Sequence, residues 1–304
     1  MHNYLIIIGG PTASGKTELS LRLAEHFQTE ILSCDSRQFY REMSIGTAKP
    51  TPAELARAPH HFVNSLSITT EYTVADYERD AIELLEKLFE QHRIVIMVGG
   101  SGLFINAVTE GLNEFPQVPP TVRQELEFFY EKHGLAGLQR ELAQRDPDYF
   151  MQVDTQNPRR LIRALEICRA TNQPFSFFRN QPRPVRDFQP IYITLEWDRA
   201  QLYDRINRRV DLMLEVGLEE EARQLFPQRH LKSLQTVGYQ ELFQYFAGEI
   251  NQEEAMELIK RNSRRYAKRQ LTWLRREAPR WQKFNATDSE AVIEYVEMAT
   301  KVSM

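Results

Sequence analysis

The segment that most constrains the fold lies near the amino terminus, where a glycine-containing loop directly follows an apolar run. Tyr4–Ile8 shows no polar alternation, which predicts a strand buried on both faces. Gly10–Thr17 comes next and fits the pattern GxxxxGK followed by Ser or Thr, and apolar side chains recur at helical spacing from Lys16 to Phe27. This order is the setting of a phosphate-binding P-loop, so we predict a parallel sheet with a phosphorylated ligand at the carboxyl ends of its strands.

Each residue of this loop has a predicted contact with a polyphosphate. Backbone N–H groups converge on the phosphate oxygens, the Lys16 ammonium supplies a positive charge, and the Thr17 hydroxyl is a ligand for Mg²⁺. The positive end of the helix that follows adds to the attraction. The predicted phosphate-binding residues are Gly10, Pro11, Thr12, Ala13, Ser14, Gly15, Lys16 and Thr17.

The rest of the chain alternates between apolar runs and helical periods. Further strands are predicted at Glu30–Ser33, Ile94–Val98 and Ile191–Leu195, with a last one at Trp281–Phe284. A capping box at Thr73–Asp76 opens a helix between the second and third strands. This alternation predicts an α/β protein: a P-loop NTPase-like parallel sheet flanked by helices, with a helical insertion.

The insertion is marked by two proline-rich segments, Phe115–Pro120 and Gln181–Pro190. We predict that residues 1–112 and 190–304 form the catalytic core and that residues 113–189 form the inserted domain. The helical periods inside it are Thr121–His133, Leu135–Arg145 and Asn157–Thr171.

The total charge argues against a nucleic-acid partner, but the distribution of the charges favours one. The chain has 38 basic and 42 acidic residues, a formal net charge of −4. The second half of the insertion is nevertheless basic, and between Lys260 and Lys283 the only acid is Glu277. The basic residues of that second segment are Lys260, Arg261, Arg264, Arg265, Lys268, Arg269, Arg275, Arg276, Arg280 and Lys283.

Length and composition exclude other classes. With 304 residues, 42% of them hydrophobic, the chain can bury a large core, which excludes a wholly disordered protein. Its apolar runs are far shorter than the about 20 residues of a membrane span, and no signal peptide is evident. Cys34 and Cys168 have no metal-site spacing and are expected to be buried and reduced, so we expect a cytoplasmic protein.

Asp35 is the acidic residue best placed for chemistry. P-loop ATPases and GTPases hold their metal with an acid after a later apolar strand, but here Val95–Val98 leads into Gly99–Gly102. Asp35 instead follows the second strand and faces the same crevice as the P-loop. Its carboxylate can hold a metal, act as a general base, or cap a turn.

Several further motifs, in one order along the chain, resemble those of the bacterial tRNA dimethylallyltransferases (isopentenyl-tRNA transferases). They are Asp35–Tyr40, Ile45–Pro50, His60–Phe62, Gly99–Phe104, Arg159–Glu166, Val237–Tyr239 and Tyr266–Trp273. The resemblance implies that a dimethylallyl group moves from dimethylallyl diphosphate to N6 of adenosine 37, in the tRNA anticodon stem-loop, and that diphosphate leaves. It also implies Mg²⁺ as cofactor, and we expect a monomer.

The resemblance assigns roles to particular residues. It implies that Asp35 is the base, that Ser101 holds the adenine amine where the family usually has Thr, and that Arg209 reaches the diphosphate, with Arg205 one turn earlier. The tRNA-binding residues so implied are Asp35, Ser36, Arg37, Gln38, Ser101, Arg123, Arg159, Arg160, Leu161, Ile162, Arg163, Lys268 and Arg269. Asn64 and Phe104 also depart from the usual Asp and Tyr.

Some residues near these motifs have more than one interpretation. Tyr266 and Trp273 have the spacing of core residues more than of a base-stacking pair. His60 and His61 are expected to line a channel or to order a loop rather than to catalyse.

Two alternative functions remain open at this point. A small-molecule or nucleoside kinase explains the P-loop, Asp35 and an inserted lid, but not the basic segment that ends at Lys283. An RNA-binding protein that uses nucleotide only as a switch leaves Asp35, Ser101 and Arg209 without a role.

Overall fold

The computed structural model describes residues 2–301 and contains two compact units. The core unit combines the residues up to Thr109 with those from Arg186 onward, and the helical unit is Glu110–Val185. Arg186, which the proline pattern places in the insertion, belongs to the core unit. Its guanidinium donates to the Ala107 carbonyl at 2.9 Å and pairs with Glu78.

The core unit is built on a sheet of six parallel strands in the order β3-β2-β4-β1-β5-β6. The predicted fold class is therefore confirmed. The strands are β1 Tyr4–Gly9, β2 Ile31–Ser33, β3 His60–His61, β4 Ile94–Gly99, β5 Gln189–Glu196 and β6 Trp281–Asn285. The edge strand β3 was missed because two residues are too short to show a periodicity.

Helices cover the sheet and form the helical unit. In chain order they are α1 Lys16–Phe27, α2 Pro52–Leu55, α3 Val74–Phe89, α4 Gly102–Glu110, α5 Pro120–Arg145, α6 Pro147–Phe150, α7 Pro158–Thr171, α8 Phe175–Arg179, α9 Arg199–Glu215, α10 Leu218–Leu225, α11 Tyr239–Phe246, α12 Gln252–Arg276 and α13 Ser289–Thr300. The predicted capping box is present at Thr73, whose hydroxyl accepts from the Asp76 N–H. The two helices predicted at Thr121–His133 and Leu135–Arg145 form the single element α5, which is kinked at Gly134, where φ is 61°. Within residues 2–301, none of the helices has the length and apolar content needed to cross a membrane.

Both faces of the sheet are buried, as the unbroken apolar run of β1 predicts. Side chains alternate across a strand, so Ile6 and Ile8 pack with α1 and α13 while Leu5 and Ile7 pack with α3, α4 and α12. Trp273 lies against this second core, and its ring meets that of Trp281 at 5.6 Å between centroids. The core interpretation of Trp273 is therefore confirmed.

The helical unit has a hydrophobic core of its own. Leu126 and Leu142 of α5 pack there with Leu161 and Leu165 of α7. Cys168 is buried in this core and Cys34 is buried beside the sheet, and both are free thiols, as expected.

Candidate active site

A cavity of about 410 Å³ lies in the core unit at the carboxyl ends of β2 and β4. Of the residues predicted for the site, it is lined by Thr12, Ala13, Lys16, Thr17, Asp35, Ser36, Arg37, Gln38, Arg209 and Arg269. Tyr266 also lines it and hydrogen-bonds the side chain of Ser101. The structure thus brings the P-loop, the candidate base and the candidate amine-holding hydroxyl to one place.

The P-loop is braced by α9. Arg209 Nη1 donates to Thr12 Oγ1 at 2.9 Å, and Arg205 Nε donates to the Ala13 carbonyl at 2.9 Å. The Arg205 guanidinium also lies 4.3 Å from the centroid of the Trp197 ring. Arg209 therefore contacts a P-loop side chain, whereas Arg205 supports the loop backbone, and contact of Arg209 with diphosphate stays a prediction.

The ammonium of Lys16 sits inside the loop and donates to the Pro11 carbonyl at 2.6 Å. Burial, and next the positive charge of Arg209, lower the pKa of Lys16 to about 8, although Asp35 acts in the opposite direction. Burial also lowers the pKa of Arg209. Two cations brought together in a partly dry site favour an anionic ligand between them.

Asp35 begins a turn directly after β2. One of its carboxylate oxygens, Oδ1, accepts from the backbone N–H of Arg37 at 3.0 Å, while the side chain lines the cavity. The turn-capping interpretation therefore applies to this oxygen, and the position beside Lys16 keeps the general-base interpretation open.

Arg37 and Gln38, both predicted to bind tRNA, are engaged in holding loops. The Arg37 guanidinium donates to three backbone carbonyls of residues 232–235, the shortest contact being 2.6 Å to Ser233. Gln38 Nε2 donates to the Ala48 carbonyl at 3.2 Å. These contacts position the walls of the cavity, and direct contact of either residue with tRNA stays a prediction.

Tyr266 hydrogen-bonds Ser101 and lies within the electrostatic influence of the candidate base. Burial and the nearby charge of Asp35 raise the pKa of Tyr266 to about 12, and the hydrogen bond with Ser101 opposes this increase. Tyr266 thus lines the site as a neutral phenol. The expectation that Tyr266 is a plain core residue is wrong, because one turn of α12 faces the cavity.

Gln270 is a site residue to which the sequence analysis gave no role. Its Oε1 accepts from the Thr12 N–H at 3.0 Å, and its Nε2 donates to the Gly100 carbonyl at 3.1 Å. A Cβ at position 100 would lie 2.0 Å from Gln270 Nε2, so only glycine allows this approach. The one sequence signal was the position of Gln270 inside the motif Tyr266–Trp273.

The basic segment of α12 and β6 is less uniform than its composition indicates. Lys260 pairs with Asp211 at 2.7 Å, and Lys283 pairs with Glu196 at 2.8 Å. Lys268 and Arg269 are exposed, as a nucleic-acid contact requires. The internal ion pairs reduce the positive charge that this surface presents.

The basic surface of the helical unit lies at the start of α7. Arg159, Arg160 and Arg163 are exposed, whereas Leu161 is fully buried in the core of the unit and Ile162 is half-buried. Including Leu161 among the tRNA contacts was wrong for its side chain, because neighbouring residues of a helix face different directions. Ile162 packs against the same core, and its contact with tRNA stays a prediction.

Arg123 and Arg163 lie on either side of one buried acid. Arg163 Nη1 is 3.1 Å and Arg123 Nη1 is 3.5 Å from the carboxylate of Glu166. Arg123 itself is exposed, so it remains available to an RNA phosphate.

The adjacent histidines His60 and His61 make different contacts. His60 lines the cavity and bonds the Ala58 carbonyl through Nδ1 at 2.8 Å, and burial lowers its pKa. His61 Nε2 lies 2.5 Å from Glu30 Oε2. His60 therefore lines the cavity, as predicted, whereas His61 is not among the lining residues and contacts the residue before β2.

Asn64 and Phe104, two of the departures from the family pattern, both make contacts within the core unit. The Asn64 Oδ1 accepts from Lys49 Nζ at 2.6 Å, so a hydrogen bond remains where the family more often has a charge. Phe104 packs on Tyr77 with centroids 5.1 Å apart, inside an aromatic cluster.

Comparison with known proteins decides the family. Residues 38–277 match the family model described as IPP transferase. The chain belongs to this family. The tRNA dimethylallyltransferase of Christiangramia forsetii is 53% identical to this IPP transferase over 298 residues, which cover 98% of each chain.

Solved structures agree with this assignment. The full-length tRNA isopentenylpyrophosphate transferase of Bacillus halodurans is 37% identical, with a TM-score of 0.74, over 98% of this chain and 97% of that chain. A eukaryotic dimethylallyltransferase solved acting on tRNA has a TM-score of 0.82 over 99% of this chain and 81% of its own, and at 24% identity it supports the fold alone. The resemblance inferred from the motifs is confirmed, and the kinase and switch alternatives are set aside.

Proposed function

We propose that this IPP transferase moves a dimethylallyl group from dimethylallyl diphosphate to N6 of adenosine 37 in the anticodon loop of tRNA. The chain is a prenyltransferase that modifies tRNA, as its family and its near-full-length identity to named tRNA dimethylallyltransferases indicate. The observation that carries the detailed proposal is one cavity lined by P-loop residues, by Asp35 and by Tyr266, whose side chain hydrogen-bonds that of Ser101.

The polar end of the cavity suits a diphosphate leaving group. Lys16 and Arg209 supply positive charge, and the amino-terminal end of α1 supplies backbone N–H groups. As the allylic C–O bond breaks, its electron pair leaves with the diphosphate, whose charge these groups stabilise. The same groups bind the diphosphate before reaction, so their effect on rate depends on the charge that develops.

The Asp35 carboxylate is the proposed base. The N6 amine forms a bond to the terminal allylic carbon, and its surplus proton passes to Asp35. The Ser101 hydroxyl, held by Tyr266, orients the amine. A weakly nucleophilic aromatic amine gains most from this orientation, because a correctly placed reactant avoids the entropic cost of an encounter.

The cavity has a donor suited to Mg²⁺. The Thr17 hydroxyl lines the cavity beside Lys16, and hard oxygen donors together with diphosphate oxygens are the ligands that Mg²⁺ prefers. We propose that Thr17 holds the ion. When bound, Mg²⁺ would neutralise part of the charge on the diphosphate.

Each unit has exposed basic residues that we propose as contacts for tRNA phosphates. The target base has to leave the stack of the anticodon loop, which costs a few kcal/mol that phosphate contacts must offset. Arg159, Arg160 and Arg163 offer such contacts in the helical unit, as do Lys268 and Arg269 in the core unit. Since tRNA is the proposed substrate, we also propose a cytoplasmic location, and we propose separately that the enzyme is a monomer.

A transfer assay tests the proposal directly. The protein is mixed with Mg²⁺, dimethylallyl diphosphate and unmodified tRNA that carries adenosine at position 37, and mass spectrometry follows the addition of C5H8 to that base. A parallel reaction contains ATP in place of dimethylallyl diphosphate. Product in the first reaction alone supports the proposal, whereas phosphate transfer or ATP hydrolysis without prenylation contradicts it.

A further inference from the structure

A short loop between β2 and α2 forms one wall of the cavity and is held by a distant carboxylate. The backbone N–H groups of Ser44, Ile45 and Gly46 donate to Glu221 of α10, at 2.9, 2.8 and 3.0 Å. The Tyr239 hydroxyl donates to the same carboxylate at 2.6 Å. Three donors of the loop and one of α11 thus share one carboxylate, which holds the loop firmly, because hydrogen bonds to a charged group are roughly twice as strong as neutral ones.

The loop also rests on the ring of Tyr239. This ring is fully buried, and a Cβ at Gly46 would lie 2.6 Å from it, so the loop backbone is in close contact with the ring. On the other side, Gln38 holds the Ala48 carbonyl. The segment from Ser44 to Ala48 therefore has little freedom to move outward from the cavity.

The loop faces the part of the cavity that is apolar. Val210 and Met213 of α9, Leu218 of α10 and Ile259 of α12 line the cavity together with Gly46–Ala48. Met213 lies one helical turn after Arg209, which places it about 6 Å farther from the phosphate-binding end. The apolar lining thus begins where the carbon chain of a bound prenyl diphosphate would start.

We propose that Glu221 is a positioning residue that limits the length of the prenyl chain accepted by the enzyme. By fixing the loop, it fixes the volume of the apolar end of the cavity. A chain longer by one isoprene unit must displace the loop from Glu221 or remain outside. This inference rests on the proposed transfer from a prenyl diphosphate.

The test is Glu221→Gln. The amide has nearly the same shape, but one acceptor oxygen becomes an NH₂ donor that faces the N–H groups of the loop. Titration calorimetry measures the affinities for dimethylallyl diphosphate, geranyl diphosphate and inorganic diphosphate, and the transfer assay measures kcat and KM for both prenyl substrates and for tRNA. The matched control is Glu220→Gln, an exposed neighbour on α10 that accepts a hydrogen bond from Gln224.

We expect the preference for dimethylallyl over geranyl diphosphate to fall about tenfold in Glu221→Gln, since pocket contacts of this kind are worth 10- to 200-fold in discrimination. The affinity for inorganic diphosphate and the KM for tRNA should stay unchanged, because neither ligand depends on the apolar end. An unchanged preference in a folded variant overturns the inference, as does an equal weakening of all three diphosphate ligands, which marks a merely structural role.

A second variant covers the case in which Glu221→Gln does not fold. Tyr239→Phe removes one of the four donors and keeps the supporting ring, so it should shift the preference in the same direction by a smaller factor. No shift in this variant overturns the inference. Failure of the proposed function is distinguishable, because the unchanged enzyme would then not prenylate tRNA in the transfer assay. The calorimetric preference for dimethylallyl over geranyl diphosphate would still decide the role of Glu221.

Discussion

At the scale of single residues, the site is defined by two buried cations, Lys16 and Arg209, and burial lowers the pKa of each. Lys16 has a pKa near 8 because its ammonium is buried beside Arg209. A bound diphosphate would reverse both effects, since it brings negative charge to the same place. A bound anion therefore stabilises the charged form of Lys16 more than it would stabilise that of an exposed lysine.

Diphosphate binding should depend on pH through Lys16. Below about pH 8 the Lys16 ammonium is charged, so the affinity for inorganic diphosphate should not change with pH through this group. Above about pH 8 the amine must take up a proton on binding, so the apparent Kd should increase by up to about tenfold per pH unit. Calorimetric titrations at several pH values check this. Lys16→Met should abolish the slope. Lys49→Met is the control, because burial also lowers the pKa of Lys49 to about 8 away from the P-loop.

Asp35→Asn tests the base. The amide keeps the shape and an acceptor for the Arg37 N–H but cannot take a proton, so turnover should fall about 100-fold or more while the affinity for dimethylallyl diphosphate changes little. Single-turnover rates and titrations measure the two effects. Asp288→Asn, at the exposed N-cap of α13, is the control. A loss of turnover below about tenfold would remove Asp35 from the role of base.

At the scale of elements, α9 and α12 give the P-loop its shape. Arg205 and Arg209 of α9 contact one side of the loop, and Gln270 of α12 joins the loop to the carbonyl of Gly100. Because α12 also carries Tyr266, Lys268 and Arg269, one helix connects the diphosphate site with the residues proposed to meet tRNA. A small displacement of α12 would therefore alter both the diphosphate site and the proposed tRNA contacts.

Gln270→Glu should weaken this connection. The carboxylate can still accept from Thr12, but its second oxygen faces the Gly100 carbonyl and repels it. We expect the KM for dimethylallyl diphosphate to increase about tenfold, which corresponds to roughly 1.4 kcal/mol for one unsatisfied buried group. Steady-state kinetics check this, with the exposed Gln244→Glu as control. An unchanged KM would mean that Gln270 does not position the loop.

At the scale of the whole molecule, exposed positive charges are concentrated on particular helices although the net charge of the chain is negative. A chain of net charge −4 keeps exposed arginines at the start of α7 and exposed cations on α12, while other cations pair internally. The acidic remainder keeps the protein from binding polyanions over its entire surface. Affinity for RNA is thereby restricted to the surfaces that the reaction needs.

Replacing Arg159, Arg160 and Arg163 together with Gln should weaken tRNA binding and reduce its dependence on salt. Each lost phosphate contact removes about 0.7 to 0.9 from the slope of log K against log salt concentration. Filter-binding titrations at several salt concentrations measure this slope, and the KM for dimethylallyl diphosphate should stay constant. Arg140→Gln, another exposed arginine of the helical unit, provides the control. If the triple variant keeps the slope of the unchanged enzyme, these arginines lie outside the tRNA surface.

The sequence by itself determined the parallel sheet, the phosphate site and the position of Asp35. These features depend on local patterns: an apolar strand, a glycine loop and a helix are encoded within about 25 residues, and the carboxyl ends of parallel strands necessarily share an edge. The motifs also identified the family, which the comparisons confirmed.

Only the tertiary structure decided which side chains support the site. Gln270 and Glu221 act on backbone groups that lie 170 or more residues away in the chain, so no local pattern reveals them. Arg37 holds loop carbonyls and Leu161 is buried because the packing of each element, and not its composition, selects the face that it exposes. Periodicity locates elements, whereas contacts between distant elements are fixed only when the hydrophobic core brings them together.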